Sequence, residues 1–180
     1  MRYELRKAVP SDVAAIAELI AKSVKGLGSS DYSERQIEHS ISSVFGVDMD
    51  LIEDGTYYVA ESDAEIVGCG GWSRRKTLYG GSSYAESRDS EPLDPETDPA
   101  KIRAFFVHPD AARRGIGTAI LSACEDEAAA NGFRKAEMMS TLPGVKLYAV
   151  RGYAGSERIQ IPVGEDVFIE CVKMSKDLEG

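Results

Sequence analysis

Apolar residues recur along this chain with two periods, and the switches between them mark out the elements. Tyr3 to Val9 reads as a strand, and Pro10-Ser11-Asp12 stops it. Ser11 then stands as N-cap to a helix whose Val13, Ile16, Ile20 and Val24 fall on one face, with Gly26 and Gly28 at its end. Ser33-Glu34-Arg35-Gln36 has the form of a capping box and predicts a second helix carrying Ile37, Ile41, Val44 and Phe45, closed by Gly46. Thr56 to Glu61 and Ile66 to Trp72 are β-rich runs joined by Ser62-Asp63-Ala64-Glu65, which predicts a hairpin. Ile102 to Val107 is nearly continuous apolar sequence, as a strand buried on both faces would be. His108-Pro109-Asp110 turns the chain into a helix from about Gly115 to Ala130, and Asn131-Gly132 caps its end. Ala136 to Thr141 predicts a strand and Pro143 to Val150 a short helix stopped by Gly152. Arg158 to Val163 and Val167 to Met174 predict two strands turning at Gly164-Glu165-Asp166. The expected order is β-α-α-β-β-β-α-β-α-β-β, an α/β arrangement in one domain covering residues 1–180.

The composition agrees with one folded domain. Of 180 residues 43% are apolar, enough to bury a sizeable core. With 21 Lys and Arg against 30 Asp and Glu the formal charge is −9, which argues against broad nucleic-acid binding. No apolar run approaches the ~20 residues that span a membrane. Met1 to Lys7 alternates charge and apolarity, unlike a signal peptide, and Cys69, Cys124 and Cys171 are odd in number and far apart. Reduced thiols and a cytoplasmic location are the expectation. Residues 78–99 stand out, with six acids and one base between Glu86 and Asp98 and prolines at 92, 95 and 99. Two readings stay open for them, a solvated surface loop and a flap beside a substrate mouth.

The stretch that carries chemistry is Arg113-Arg114-Gly115-Ile116-Gly117-Thr118, where a buried strand turns into a long helix. Free N–H groups of a first helical turn and the helix dipole suit a phosphate or pyrophosphate. Gly115 and Gly117 let such a ligand approach, and Arg113 and Arg114 add positive charge. Spacing alone leaves this open against a glycine-permitted helix start. The third glycine of a dinucleotide fingerprint is missing at Ile120, and no G-K-[ST] occurs.

With these residues in place, the sequence resembles the GNAT superfamily of N-acetyltransferases over essentially the whole chain in element order, most sharply from Ile102 to Tyr153. Arg113 to Thr118 is similar to the family's Q/R-x-x-G-x-G/A motif, with Ala112 at its first position. Leu147-Tyr148-Ala149-Val150-Arg151-Gly152-Tyr153 is similar to the F/L-Y-x-x-x-G-F/Y segment. The resemblance implies a mixed, mostly antiparallel central sheet flanked by helices. It implies acetyl-CoA as cosubstrate and no metal, and an amine attacking the thioester directly. It places cofactor contacts on Phe105, Phe106, Val107, Arg113, Arg114, Gly115, Ile116, Gly117, Thr118, Thr141 and Tyr148. The backbone N–H of Phe106 or Val107 would meet the developing oxyanion and Tyr148 would protonate the departing thiolate. Glu137 is the expected base, though one residue of register decides which face it occupies. Lys101 stands where some members carry a glutamate. Glu61, Tyr79, the acids from Glu86 to Asp98 or a water chain are further options, and His108 reads as a turn residue.

For the acceptor, a small-molecule or protein amine is expected, with neither nucleic acid nor membrane as partner and a homodimer left open. An acidic loop at the mouth would draw a cationic acceptor, whereas Arg74 and Arg75 there would favour an amino acid carboxylate. The rival reading is a catalytically silent module that senses acetyl-CoA or scaffolds a partner.

Overall fold

Two-residue turns, short caps and glycine positions set the strand pairing on which the site depends. The computed structural model describes residues 1–178. Among them the strands β1 (Glu4–Lys7), β2 (Tyr57–Ser62), β3 (Glu65–Ser73), β4 (Ala100–Val107), β5 (Lys135–Thr141), β6 (Ala154–Gly164) and β7 (Val167–Asp177) form one sheet in the order β1-β2-β3-β4-β5-β7-β6. All neighbours are antiparallel except β4 and β5. The helices are α1 (Val13–Gly28), α2 (Glu34–Ile41), α3 (Met49–Glu53), α4 (Ile116–Ala130) and α5 (Val145–Val150). The α1 stripe of Ile16, Leu19 and Ile20 packs with α2 and α3 on one face, over Tyr57, Val59 and Ile169. Ile116, Ile120, Leu121 and Cys124 of α4 cover the other, with Trp72 and Met138. The mixed sheet between helices is the architecture expected, and the β2–β3 hairpin turns where predicted, at Asp63 and Ala64, both with positive φ.

The differences have local causes. The order gains a helix, α3, which Asp48 caps by accepting the Asp50 N–H at 3.0 Å. Five residues are too few to show a period. The second helix keeps its capping box, with Gln36 N–H on Ser33 Oγ at 3.1 Å and Ser33 N–H on Gln36 Oε1 at 2.8 Å. It ends at Ile41 rather than running to Phe45, because the Ser42 and Ser43 hydroxyls bond back to the carbonyls of Glu38 and His39. Ser11 makes no side-chain cap; Pro10–Asp12 form a 3-10 turn, and the Asp12 carboxylate takes the Val9 N–H at 2.8 Å. The expected helix at Pro143 is a 3-10 turn over Leu142–Gly144 followed by α5, and β6 starts earlier, at Ala154.

One carboxylate adds polar ties to the apolar packing of α4 on the sheet. Glu127 Oε2 accepts from Lys7 Nζ at 2.5 Å, Tyr58 OH at 2.8 Å and Trp72 Nε1 at 2.9 Å, joining α4 to β1, β2 and β3. Glu127→Ala leaves the buried indole N–H and the phenol without an acceptor. We expect a loss of about 2 kcal/mol in urea denaturation, the order for stranding such donors. At the other end of α4, Gly68 of β3 admits Ile116, whose Cγ2 would stand 2.5 Å from a Cβ there.

Candidate active site

β4 and β5 run parallel but pair at only two positions, Ala100 with Ala136 and Lys101 with Glu137. Beyond Ile102 they part, and a notch opens into the middle of the sheet. Where Gly70 alone stands on β3 between Cys69 and Gly71, β4 has two residues, Ala104 and Phe105, between their partners Phe106 and Arg103. Ala104 takes a φ of 57°, so this is a bulge, a device that bends a strand and redirects its groups.

The bulge leaves the last residues of β4 with an edge facing the notch. The Val107 N–H points away from β3 and donates to Ser23 Oγ of α1 at 3.2 Å, whereas the His108 N–H donates to Val67 O of β3 at 2.9 Å. Alternation beyond the bulge turns the Phe106 N–H into the sheet, beside Cys69. The oxyanion contact expected of Phe106 is thereby corrected, since its N–H faces β3.

Two cavities meet at this edge. One runs between α1, β4 and α5 and is lined by Ser23, Leu27, Tyr32, Val107, Gly117 and Leu147 among others. The other lies between β4, β5 and the segment Leu78–Gly81, with Arg103, Met139, Ile161 and Cys171 in its wall. Phe45, Phe105, Phe106, Thr141 and Tyr148 line both.

Tyr148 of α5 therefore stands at the junction. Its ring packs edge-on against Phe105 and Tyr153, with centroids 6.1 and 6.0 Å away. Its hydroxyl makes no hydrogen bond among the described residues, unlike Tyr32, whose OH donates to Glu170 O at 2.6 Å and accepts the Leu142 N–H at 2.9 Å. Burial holds the Tyr148 phenol above the usual tyrosine range, so it is protonated at neutral pH. Gly144 is small for a reason, because a Cβ there would sit 3.0 Å from both Ser140 Oγ and the Tyr148 ring.

The helix start is built as a cradle. Arg113 and Gly115 have φ of 60° and 82°, which swings the chain into α4 with Gly115 as its N-cap. The helical ladder begins with Ala119 N–H on Gly115 O at 2.9 Å, so the N–H groups of Ile116, Gly117 and Thr118 have no intrahelical acceptor. Arg113 and Arg114 are exposed beside them and make no ion pair among the described residues. His108 is a turn residue, its Nδ1 accepting the Asp110 N–H at 3.1 Å.

The expected base is elsewhere. Glu137 lies at the closed end of the notch, paired with Lys101 and 3.8 Å from Lys173 Nζ, and lines neither cavity. Met139 and Thr141, on the same face of β5, do line a cavity, so it is the place of Glu137 at the paired end of the strand and not its face that keeps it from one, and we do not carry the base role to it. Glu61 is held by Arg6 at 2.8 Å. Leu78 to Gly81 do border a cavity, so the front of the 78–99 segment serves as a rim, while Glu86, Asp89, Glu91, Asp94 and Glu96 are exposed. Arg75 is bound to Asp54 and Arg74 lies over the Trp72 ring, and neither lines the mouth. Ser23 and Arg103 were not singled out from the sequence. Each leaves a trace there, a hydroxyl in the Ile16–Ile20–Val24 stripe and a charge inside an apolar strand.

These features meet in comparison with known proteins. The model of the acetyltransferase (GNAT) family matches residues 22–153, and the chain belongs to that family. It is an acyltransferase. Comparison with curated protein sequences gave no match. Among solved structures, a GCN5-related N-acetyltransferase of Rhodopseudomonas palustris is 22% identical, with 99% of this chain and 97% of that one covered and a TM-score of 0.73. The PaiA N-acetyltransferase of Thermoplasma acidophilum, in complex with coenzyme A, is 15% identical over 98% and 99%, with a TM-score of 0.67. YncA of Salmonella typhimurium, with acetyl-CoA, is 15% identical over 100% and 96%, at 0.63. At these identities the likeness is one of fold. Among the described residues no helix is long and apolar enough to cross a membrane.

Proposed function

We propose that this protein transfers the acetyl group of acetyl-CoA to a primary amine by direct attack, without a covalent enzyme intermediate. The observation that carries the reading is the unpaired β4 edge, which joins two cavities under the free hydroxyl of Tyr148. The cradle suits a pyrophosphate: three free N–H groups, two unpaired arginines and no side chain at Gly117. From there an extended thioester arm fits the cavity along α1, pairing with the β4 edge as an added strand would. The Val107 N–H, now on Ser23, is the donor this edge offers to the carbonyl as charge develops. Tyr148 supplies the proton to the leaving thiolate.

No carboxylate among the described residues lines the second cavity, so we assign no side-chain base. The amine arrives as the free base, its proton left in water. It follows that kcat/KM rises with pH and levels off near the ammonium pKa of whichever acceptor is used. Two acceptors of different pKa give two different profiles; one shared inflection near pH 5 to 6 would mean an enzyme carboxylate instead. The primary test is thiol release from acetyl-CoA with and without amines. Binding of acetyl-CoA, seen as a higher melting temperature, without amine-dependent release would favour a silent acetyl-CoA sensor.

A further inference from the structure

Arg103 interrupts an otherwise apolar strand, and its surroundings bear on what the second cavity admits. The residue is 4% exposed. Its Nη2 meets Asp48 and the Gly80 carbonyl, while Nε and Nη1 are buried with no acceptor among the described residues. Asp48 is not Arg103's alone, because Arg88 Nη1 stands 3.5 Å from its Oδ1. Burial lowers the Arg103 pKa to about 10, which leaves the group charged at neutral pH. Folded proteins seldom leave donors of a buried charged group unmatched, and an acceptor from outside the chain, a ligand group or an ordered water, would resolve the deficit.

Arg103 is the one charged residue among the described residues that line this cavity. Around it the wall is apolar, with Phe45, Leu78, Ile102, Met139 and Ile161. The acids of the neighbouring segment are engaged or turned outward. Glu86 Oε2 takes the Tyr84 hydroxyl at 3.0 Å, and Asp94 and Asp98 carboxylates cap N–H groups of their own loop at 3.0 and 2.8 Å. A polycation would therefore meet a cation and no counter-charge inside.

We propose that the acceptor is a small amine bearing a carboxylate and an apolar body, an apolar amino acid being the simplest, with Arg103 as the carboxylate's anchor beneath the Tyr79–Gly81 rim. This rests on the acetyltransferase reading above. The test is thiol release by the native protein with leucine and phenylalanine, their amides, their decarboxylated amines, and spermidine, with rates referred to the free-base concentration. The amino acids are expected to exceed their amides and plain amines at least tenfold in kcat/KM, mainly through KM. Equal or better rates with the amides or plain amines, or a preference for spermidine, overturn the proposal. In the double variant Asp48→Asn/Arg103→Met, which removes the buried pair together, the preference for the acid disappears while acetyl-CoA still raises the melting temperature. A folded double variant that keeps the preference removes Arg103 from the role, and if it does not fold the native panel decides alone. Release with none of the amines overturns the acetyltransferase reading itself, a different result from release without discrimination.

Discussion

Replacing Gly117 with glutamate is expected to abolish the rise in melting temperature that acetyl-CoA gives the native chain, while leaving the melting temperature of the unliganded protein nearly unchanged. The two halves of this result have separate causes. Gly117 lines the cavity along α1, in the first turn of α4, where its N–H and those of Ile116 and Thr118 are free. A carboxylate there offers those donors an internal acceptor and suits the helix dipole, worth about 0.3 to 1 kcal/mol to the unliganded helix. Against this, a Cβ at 117 would stand 3.1 Å from Leu147 Cδ2, a contact that a flexible leucine relieves by a small shift. A diphosphate arriving at the same turn meets bulk, a like charge and donors already taken. We expect affinity to fall by at least about a hundredfold, ~3 kcal/mol. Calorimetric titration with acetyl-CoA reads the loss directly. Gly117→Ala, which adds the methyl group without the charge, should lose much less. A glutamate variant that is stabilised as well as the native chain would take the pyrophosphate away from α4.

How far the sequence foretold this site depends on the range of the interaction concerned. The capping box at Ser33, the hairpin at Asp63-Ala64 and the glycine-led helix start at Gly115 are all decided within a few residues, and each is found where the pattern predicts it. The family resemblance rests on two such local segments. What eluded the pattern is set by tertiary pairing. Ala104 takes a left-handed conformation because two β4 residues share the span of one on β3, and nothing in Arg103-Ala104-Phe105 announces a bulge. The bulge fixes which N–H groups look into the notch, so choosing between Phe106 and Val107 needed the register. Glu137 illustrates the same limit, because its neighbours Lys101 and Lys173 come from strands 36 residues away in either direction. Arg103 and Asp48 are distant in sequence, and their pairing exists only once α3, which Asp48 caps, is seated on the sheet at β3. The acidic run from Glu86 to Asp98 left open whether these charges border the acceptor site, and only the fold shows that Glu86, Asp89, Glu91, Asp94 and Glu96 are exposed and line neither cavity.

Tyr148→Phe should lower kcat by about a hundredfold, the lower end of what a positioned acid contributes, with acetyl-CoA affinity within twofold of native. The separation of kcat from affinity follows from where the groups sit. The nucleotide is assigned to the free N–H groups of the α4 start, whereas the phenol lines both cavities, where they meet. Stability should hardly change, because the Tyr148 hydroxyl has no protein partner to lose among the described residues and the ring remains to pack on Phe105 and Tyr153. Tyr32→Phe is the internal control. That hydroxyl bridges Glu170 O and the Leu142 N–H, so its removal should cost stability, by roughly 1 kcal/mol for a net hydrogen bond. The pH dependence gives a further check with a definite sign. Burial raises the Tyr148 pKa above the ordinary value near 10, so the acid form persists on the alkaline side and native kcat should not decline between pH 7 and 9. A fall of kcat across that window would mean a phenol that ionises too early to serve as the acid. Loss of affinity in step with kcat, or a melting temperature lowered as in Tyr32→Phe, would make Tyr148 a packing residue and leave the thiolate to depart without help.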